Sequence, residues 1–189
     1  GLAILIFGFC GSFFIINSHC IDGFICVASI GGLVAFSRYN LSSDRKVFMG
    51  DTGSMVIGLL ISYQIISLLS SQHITSINYQ ETNMPIKVLC LMSYPLFDTL
   101  RVFIIRIKNK KSPFSADRNH IHHKLIDAGL SHIQASLLII FVTLFLIIGS
   151  NLIKNIEINQ QLFVILLTGI ILYSIPNYIN KKEEKCVEL

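Results

Sequence analysis

Asp51 stands in Gly50-Asp51-Thr52-Gly53-Ser54, immediately before an apolar run, where a carboxylate would sit at the mouth of a helix. The flanking glycines permit tight backbone, and Thr52, Ser54 and free amides at a helix start can face an anion or a metal-bound phosphate. The plainer reading is a capped turn, with Asp51 or Ser54 satisfying the helix N-terminus. A second polar stretch reads Ser112-Pro113-Phe114-Ser115-Ala116-Asp117-Arg118-Asn119-His120-Ile121-His122-His123-Lys124-Leu125. His120 and His123 would share a helical face, which admits a zinc site, although no cysteine and only Asp117 lie nearby. An anion clamp is the alternative, in which Arg118, Lys124 and the imidazoles donate hydrogen bonds to a diphosphate. A solvated basic loop is the plainest reading. Between these stretches lies Pro95-Leu96-Phe97-Asp98-Thr99-Leu100-Arg101. An ionisable Asp98 inside an apolar run is a functional hypothesis by default, but Asp98 and Arg101 are three apart on one helix face and also suit a structural ion pair.

The elements that must position these residues are membrane helices. Of 189 residues, 52% are hydrophobic and 14% charged. A soluble domain carries about a quarter charged residues, so lipid must solvate much of this chain. The net charge of +4 comes from short basic clusters between apolar blocks, which argues against a nucleic-acid partner. Six apolar blocks approach the roughly 20 residues a bilayer requires: 2–17, 21–37, 54–69, 85–107, 134–152 and 162–179. The expected fold is therefore all-α, a polytopic transmembrane helical bundle. Alternating sides place Arg38, Arg45 and Lys46 with Lys108, Lys110, Lys111, Arg118 and Lys124, and with Lys181, Lys182 and Lys185. The positive-inside rule makes that side cytoplasmic, with both chain ends, the loops 38–53 and 108–133, and a frayed tail at 180–189. Cys10, Cys20, Cys26, Cys90 and Cys186 show no spacing that suggests disulfides or zinc.

Lys46-Val47-Phe48-Met49-Gly50-Asp51-Thr52-Gly53-Ser54 resembles the F-M-G-D-x-G-S block of the polyprenyl-phosphate N-acetylhexosamine-1-phosphate transferases. The histidine stretch is similar to the S-P-F-x-A-D-R-x-H-I-H-H-x-L block of their bacterial branch that uses UDP-N-acetylhexosamines. Tyr39-Asn40 resembles the family's aromatic-Asn pair near the nucleotide, and residues 95–99 resemble its P-x-F-D-T segment. Both main blocks occur in the family's order, separated by two spans. The resemblance covers nearly all of this chain and corresponds to the C-terminal part of a full enzyme.

The resemblance implies transfer of an N-acetylhexosamine 1-phosphate, GlcNAc first among candidates, from a UDP-sugar to polyprenyl (undecaprenyl) phosphate, with release of UMP. It implies catalytic Asp51, His120, His122 and His123, and substrate-binding Asn40, Phe48, Gly50, Thr52, Gly53, Ser54, Asp117 and Arg118. It also implies Mg²⁺, or Mn²⁺, at Asp51. The implied partners are UDP-N-acetylhexosamine, polyprenyl phosphate and membrane lipid, with a homodimer allowed, at the bacterial inner membrane with the active loops cytoplasmic. Domain 1–179 would form part of the transferase. Gly1-Leu2 is similar to the end of the family's upstream N-x-x-D-G-x-D-G-L block, whose aspartates are absent here together with the acidic D-D pair. The 189 residues alone are therefore expected to be inactive. The alternatives are a transporter, for which no broken helix or inverted repeat is legible, and a non-catalytic membrane scaffold.

Overall fold

A computed structural model describes residues 1–42, 45–70, 83–114 and 120–187, with side chains as far as Ile175. The regular elements among the described residues are all helices: α1 (Leu2–Ile16), α2 (Cys20–Asn40), α3 (Gly50–Ser70), α4 (Met84–Leu91), α5 (Ser93–Lys108), α6 (Ile121–Asp127), α7 (His132–Leu152) and α8 (Ile158–Val187). They fall into two units, Gly1–Tyr79 and Gln80–Leu189.

Among the described residues, four helices are long and apolar enough to cross a membrane: α2, α3, α7 and the Ile158–Ile175 part of α8; α4 and α5 together make a fifth if counted as one bent span. The expected six spans are not confirmed: four, or five with the bent pair, pass by length and composition, and α1 is a shorter apolar helix. At 15 residues, α1 is about 22 Å long, short of a hydrocarbon core of about 30 Å. Most of the spanning surface points outward: only 11% of the most apolar part of α3 is buried within the protein. Met55, Leu59 and Ile66 on that helix are more than half exposed and need lipid around them.

The span expected at 85–107 is broken at Met92, where α4 and α5 meet at 58°. Pro95 gives the local reason. It has no N–H to donate to the Leu91 carbonyl four residues earlier, and its ring crowds that carbonyl. Two loop boundaries also shift. Residues 38–40 continue α2 and 50–53 form the first turn of α3, so the connection is 41–49 rather than 38–53. The 108–133 connection contains α6, and α8 carries helical backbone into the stretch expected to fray.

In the first unit, α1 and α2 form a close antiparallel pair. A Cβ added at Gly11 would lie 2.9 Å from the Cys26 Cβ, so a larger residue there would push the helices apart. Small residues allow this approach where lipid supplies no hydrophobic drive. Phe7, Cys10, Phe14 and Cys26 are fully buried around that contact. Near its start, α2 is tied to α3: the Ser67 hydroxyl donates to Asp22 Oδ2 at 3.1 Å, and Gln64 Nε2 donates to the Asp22 carbonyl at 3.5 Å. Asp22 Oδ1 and Gln64 Oε1 are buried, and no donor reaches them among the described residues. An unsatisfied buried acceptor costs about 1–3 kcal/mol. Ser67→Ala takes the hydroxyl away from Asp22 Oδ2 and is expected to lower the thermal midpoint in detergent by about 2–4 °C per kcal/mol lost; an unchanged or higher midpoint would contradict the assignment.

In the second unit, α4 packs on α7 and α8 through Ile86, Cys90 and Leu91, with Leu146 and Ile165 buried on the facing helices. Tyr173 joins the layers, its hydroxyl 3.0 Å from Ser93 Oγ and 3.5 Å from Thr143 Oγ1. Asn83 Nδ2 donates to Gln161 Oε1 at 2.8 Å, and Gln161 Nε2 donates to the Ile156 carbonyl at 2.7 Å. These bonds satisfy a glutamine that is otherwise sealed from solvent.

Candidate functional site

Two groups of sequence-predicted residues occupy described positions, one in each unit. In the first unit they gather where α2 ends and α3 begins. Asn40 Nδ2 donates to the Val47 carbonyl at 2.9 Å, folding the connection back on the end of α2. Gly50 then takes φ +65°, the left-handed turn that leads into α3 and that a side chain would strain. Met49 lies so close to Gly53 that an added Cβ would come within 2.7 Å of the Met49 Cγ. Phe48 is 75% exposed, with the Lys46 ammonium 5.4 Å from its ring centre.

Asp51 is exposed in the first turn of α3. The Ser54 hydroxyl donates to the Asp51 main-chain carbonyl at 2.8 Å. Among the described residues, no hydrogen bond or ion pair reaches the Asp51 carboxylate, and Thr52 is exposed beside it. A capped turn held by the Asp51 side chain is therefore not what the described contacts contain. The helix start places partial positive charge beside an open carboxylate, a combination that can share a metal-bound phosphate.

In the second unit the histidines lie on α6 and at its N-cap, with Asp98 of α5 beneath them. His120 Nδ1 is 2.8 Å from Asp98 Oδ2, and the Ile121 backbone N–H donates to Asp98 Oδ1 at 2.7 Å. Asp98 is 7% exposed and meets the His loop with both oxygens. Tyr94, one turn earlier on α5, faces the His122 backbone. The short helix is seated by Ile121 and Leu125, both buried. Ahead of the loop, Arg106 donates to the Pro113 carbonyl, and Phe114 meets the Phe103 ring edge-on at 5.8 Å. Asp117 and Arg118 lie outside the described residues.

His132 had no role assigned from sequence, yet it belongs to this cluster. Its ring stacks on His122 at 5.6 Å, with Nδ1 3.4 Å from His122 Nε2. The sequence did hold a signal for its place. Ser131-His132-Ile133-Gln134 is a capping box, and both of its reciprocal hydrogen bonds are formed, which fixes His132 at the first position of α7.

Burial first, then the nearby His132 and His123 charges, push the His122 imidazole below its usual 6.5, against an opposing pull from Asp98. A depressed folded-state value favours the neutral ring. Its stabilising contribution is present above the unfolded value and is lost as pH falls through the folded one. Acidification from pH 7 toward pH 5 is thus expected to lower the thermal midpoint, and His122→Gln to reduce that acid sensitivity; an equal acid response in both proteins would contradict the assignment.

Among the described residues, no three His, Cys, Asp or Glu side chains converge on one ion, so the zinc alternative finds no ligand set there. Mg²⁺ has other needs: it takes one or two carboxylates and fills the remaining positions with phosphate oxygens and water. The Asp51 carboxylate, exposed and without a partner among the described residues, fits one such position, and Mn²⁺ would accept the same donor.

Residues 1–69 match the family model described as Glycosyl transferase family 4. The chain is 35% identical over 156 residues to the probable undecaprenyl-phosphate N-acetylglucosaminyl 1-phosphate transferase of Bacillus subtilis, covering 82% of this chain and 41% of that protein. It is 42% identical over 98 residues to the undecaprenyl-phosphate alpha-N-acetylglucosaminyl 1-phosphate transferase of Haemophilus influenzae, covering 52% of this chain and 26% of that one. The protein of the same name in Escherichia coli K12 is 32% identical over 117 residues, covering 60% and 30%. No solved structure matches. The chain thus spans about a quarter to two fifths of the length of these relatives. The first 69 residues thus match glycosyl transferase family 4, and the chain is similar over most of its length to a relative named as an undecaprenyl-phosphate N-acetylglucosaminyl 1-phosphate transferase.

Proposed function

We propose that this chain carries part of the active site of an enzyme that transfers GlcNAc 1-phosphate from UDP-GlcNAc to undecaprenyl phosphate. In this reaction an oxygen of the lipid phosphate forms a bond to the β-phosphorus of the donor. The bond from that phosphorus to the UMP oxygen breaks, and UMP leaves with the electron pair. The observation that carries the reading is the similarity along 82% of this chain to a relative whose name states that transfer. The exposed Asp51 carboxylate and the anchored histidine loop are the groups such a reaction would use.

A phosphate monoester is largely ionised at neutral pH, so the nucleophile needs little help from a strong base. Holding and neutralising two phosphate-bearing substrates is the larger task. Asp51 would hold Mg²⁺, which when bound supplies positive charge to the diphosphate. His122 and His123 would donate to phosphate oxygens and His120 would meet the substrate through its free ring nitrogen, with Asp117 and Arg118 beside them in sequence. Asn40, Phe48, Thr52 and Ser54 would border the nucleotide. The basic connections favour a cytoplasmic placement of both loops at the bacterial inner membrane.

The test is UMP release by the full gene product in detergent with undecaprenyl phosphate and a panel of UDP-N-acetylhexosamines. Release is expected with UDP-GlcNAc and with added Mg²⁺, and none from the 189-residue chain alone. No release with any donor would sink the proposal. A transporter reading gains one observation from the break at Met92, because discontinuous helices are common in transporters. Solute flux through liposomes without nucleotide would favour it, although Pro95 accounts for the break locally.

A further inference from the structure

We infer that Asp98 is the positioning residue for His120: it holds the imidazole proton on Nδ1 and turns Nε2, as a hydrogen-bond acceptor, toward the substrate. The inference rests on the transferase reading above. A single hydrogen bond would leave the ring free to swing about its contact. Here consecutive residues bind the two oxygens of one carboxylate, His120 through Nδ1 at 2.8 Å and Ile121 through its backbone N–H at 2.7 Å. The loop is thereby fixed in position and in rotation. The carboxylate is itself buried on α5, so its own orientation is set by packing.

In a neutral imidazole one nitrogen donates and the other accepts. An ionised carboxylate can only accept, so Nδ1 must hold the proton and Nε2 is left as the outward-facing atom. The His120 side chain remains 43% exposed, which leaves that nitrogen reachable. The same division of labour, a buried acid orienting an imidazole that acts through its other nitrogen, recurs in hydrolytic triads and around metal-bound histidines. Asp98 would touch neither substrate.

Asp98→Asn separates positioning from mere packing. Its side-chain carbonyl can still accept from Ile121, but its N–H₂ now faces Nδ1 and favours the opposite tautomer. In the full gene product, Asp98→Asn is expected to lower kcat by about 10–100-fold, the range typical for losing such an orienting partner, with KM for UDP-GlcNAc little changed. Nitrogen-15 spectra of histidine-labelled protein should show His120 protonated on Nδ1 in the wild type and on Nε2 in Asp98→Asn. Asp98→Glu, which keeps the carboxylate, should retain the Nδ1-protonated form and recover part of kcat. Wild-type kcat in Asp98→Asn would overturn the inference, as would a loss of kcat with the tautomer unchanged. If Asp98→Asn does not fold, Asp98→Glu decides: an Nε2-protonated His120 with full activity overturns it. A wild-type protein that releases no UMP defeats the transferase reading instead, and an Nε2-protonated His120 in that protein defeats the positioning claim separately.

Discussion

Asp51→Asn in the full gene product is expected to cut Mg²⁺-dependent UMP release by about 10²–10³-fold, the size of effect seen when one preorganised charge-stabilising group is removed from an active site. The substitution is nearly isosteric, and no described residue hydrogen-bonds to the Asp51 carboxylate, so folding has little to lose. The thermal midpoint should stay within about 2 °C of wild type, as expected for a surface change within about ±0.5 kcal/mol. This pairing of lost activity with kept stability separates the reading from a capping role. A structural cap would reverse it, costing about 1 kcal/mol of stability while sparing turnover. If Asp51 holds the metal, the variant should also need more Mg²⁺ for half-maximal rate.

His120→Ala is expected to reduce kcat by a similar factor of about 10²–10³, if its exposed nitrogen accepts a hydrogen bond from the substrate during transfer. It should also unsettle the loop, because it leaves the buried Asp98 Oδ2 without its partner. The loss of a hydrogen bond to a charged group costs about 1.5–3 kcal/mol. His120→Ala should therefore lose both activity and thermal midpoint, whereas Asp51→Asn loses activity alone. Matched activity and stability losses at Asp51, or an active His120→Ala protein, would each remove the corresponding residue from the account.

The membrane helices were the most legible part of the sequence. The apolar runs at 21–37, 54–69 and 134–152 become α2, α3 and α7 with ends moved by a few residues. Composition cannot mark those ends, because polar Arg38 and Tyr39 continue a helix as readily as apolar residues do. Hydropathy also read 85–107 as one span. The break at Met92 depended on one missing donor, Pro95 N, which averaging over a run does not register. α6 was illegible because a seven-residue helix has too few turns to show a period.

The site was readable as residue types and much less so as partnerships. Asp98 was singled out because an acid in an apolar run is unusual, but local spacing pointed to Arg101, three residues away. Among the described contacts, its oxygens also meet His120 and Ile121, more than twenty residues further along the chain. No helical rule reaches across that interval; only the packing of α6 near α5 creates the contact. His132 was missed for the same reason, since its meeting with His122 depends on where α7 begins. The Asp22–Ser67 contact joins two helices that sequence could identify but not pair.

The most direct measurement of the central claim is to supply the full gene product with UDP-GlcNAc labelled with ³²P at the β-phosphorus, together with undecaprenyl phosphate and Mg²⁺, and to follow the label. Transfer of GlcNAc 1-phosphate carries the β-phosphorus into the lipid, so organic-phase radioactivity should appear in step with UMP, and Asp51→Asn should cut both by the same factor of about 10²–10³. Label that stays in a water-soluble nucleotide while the sugar moves, or no transfer at all, would contradict the account.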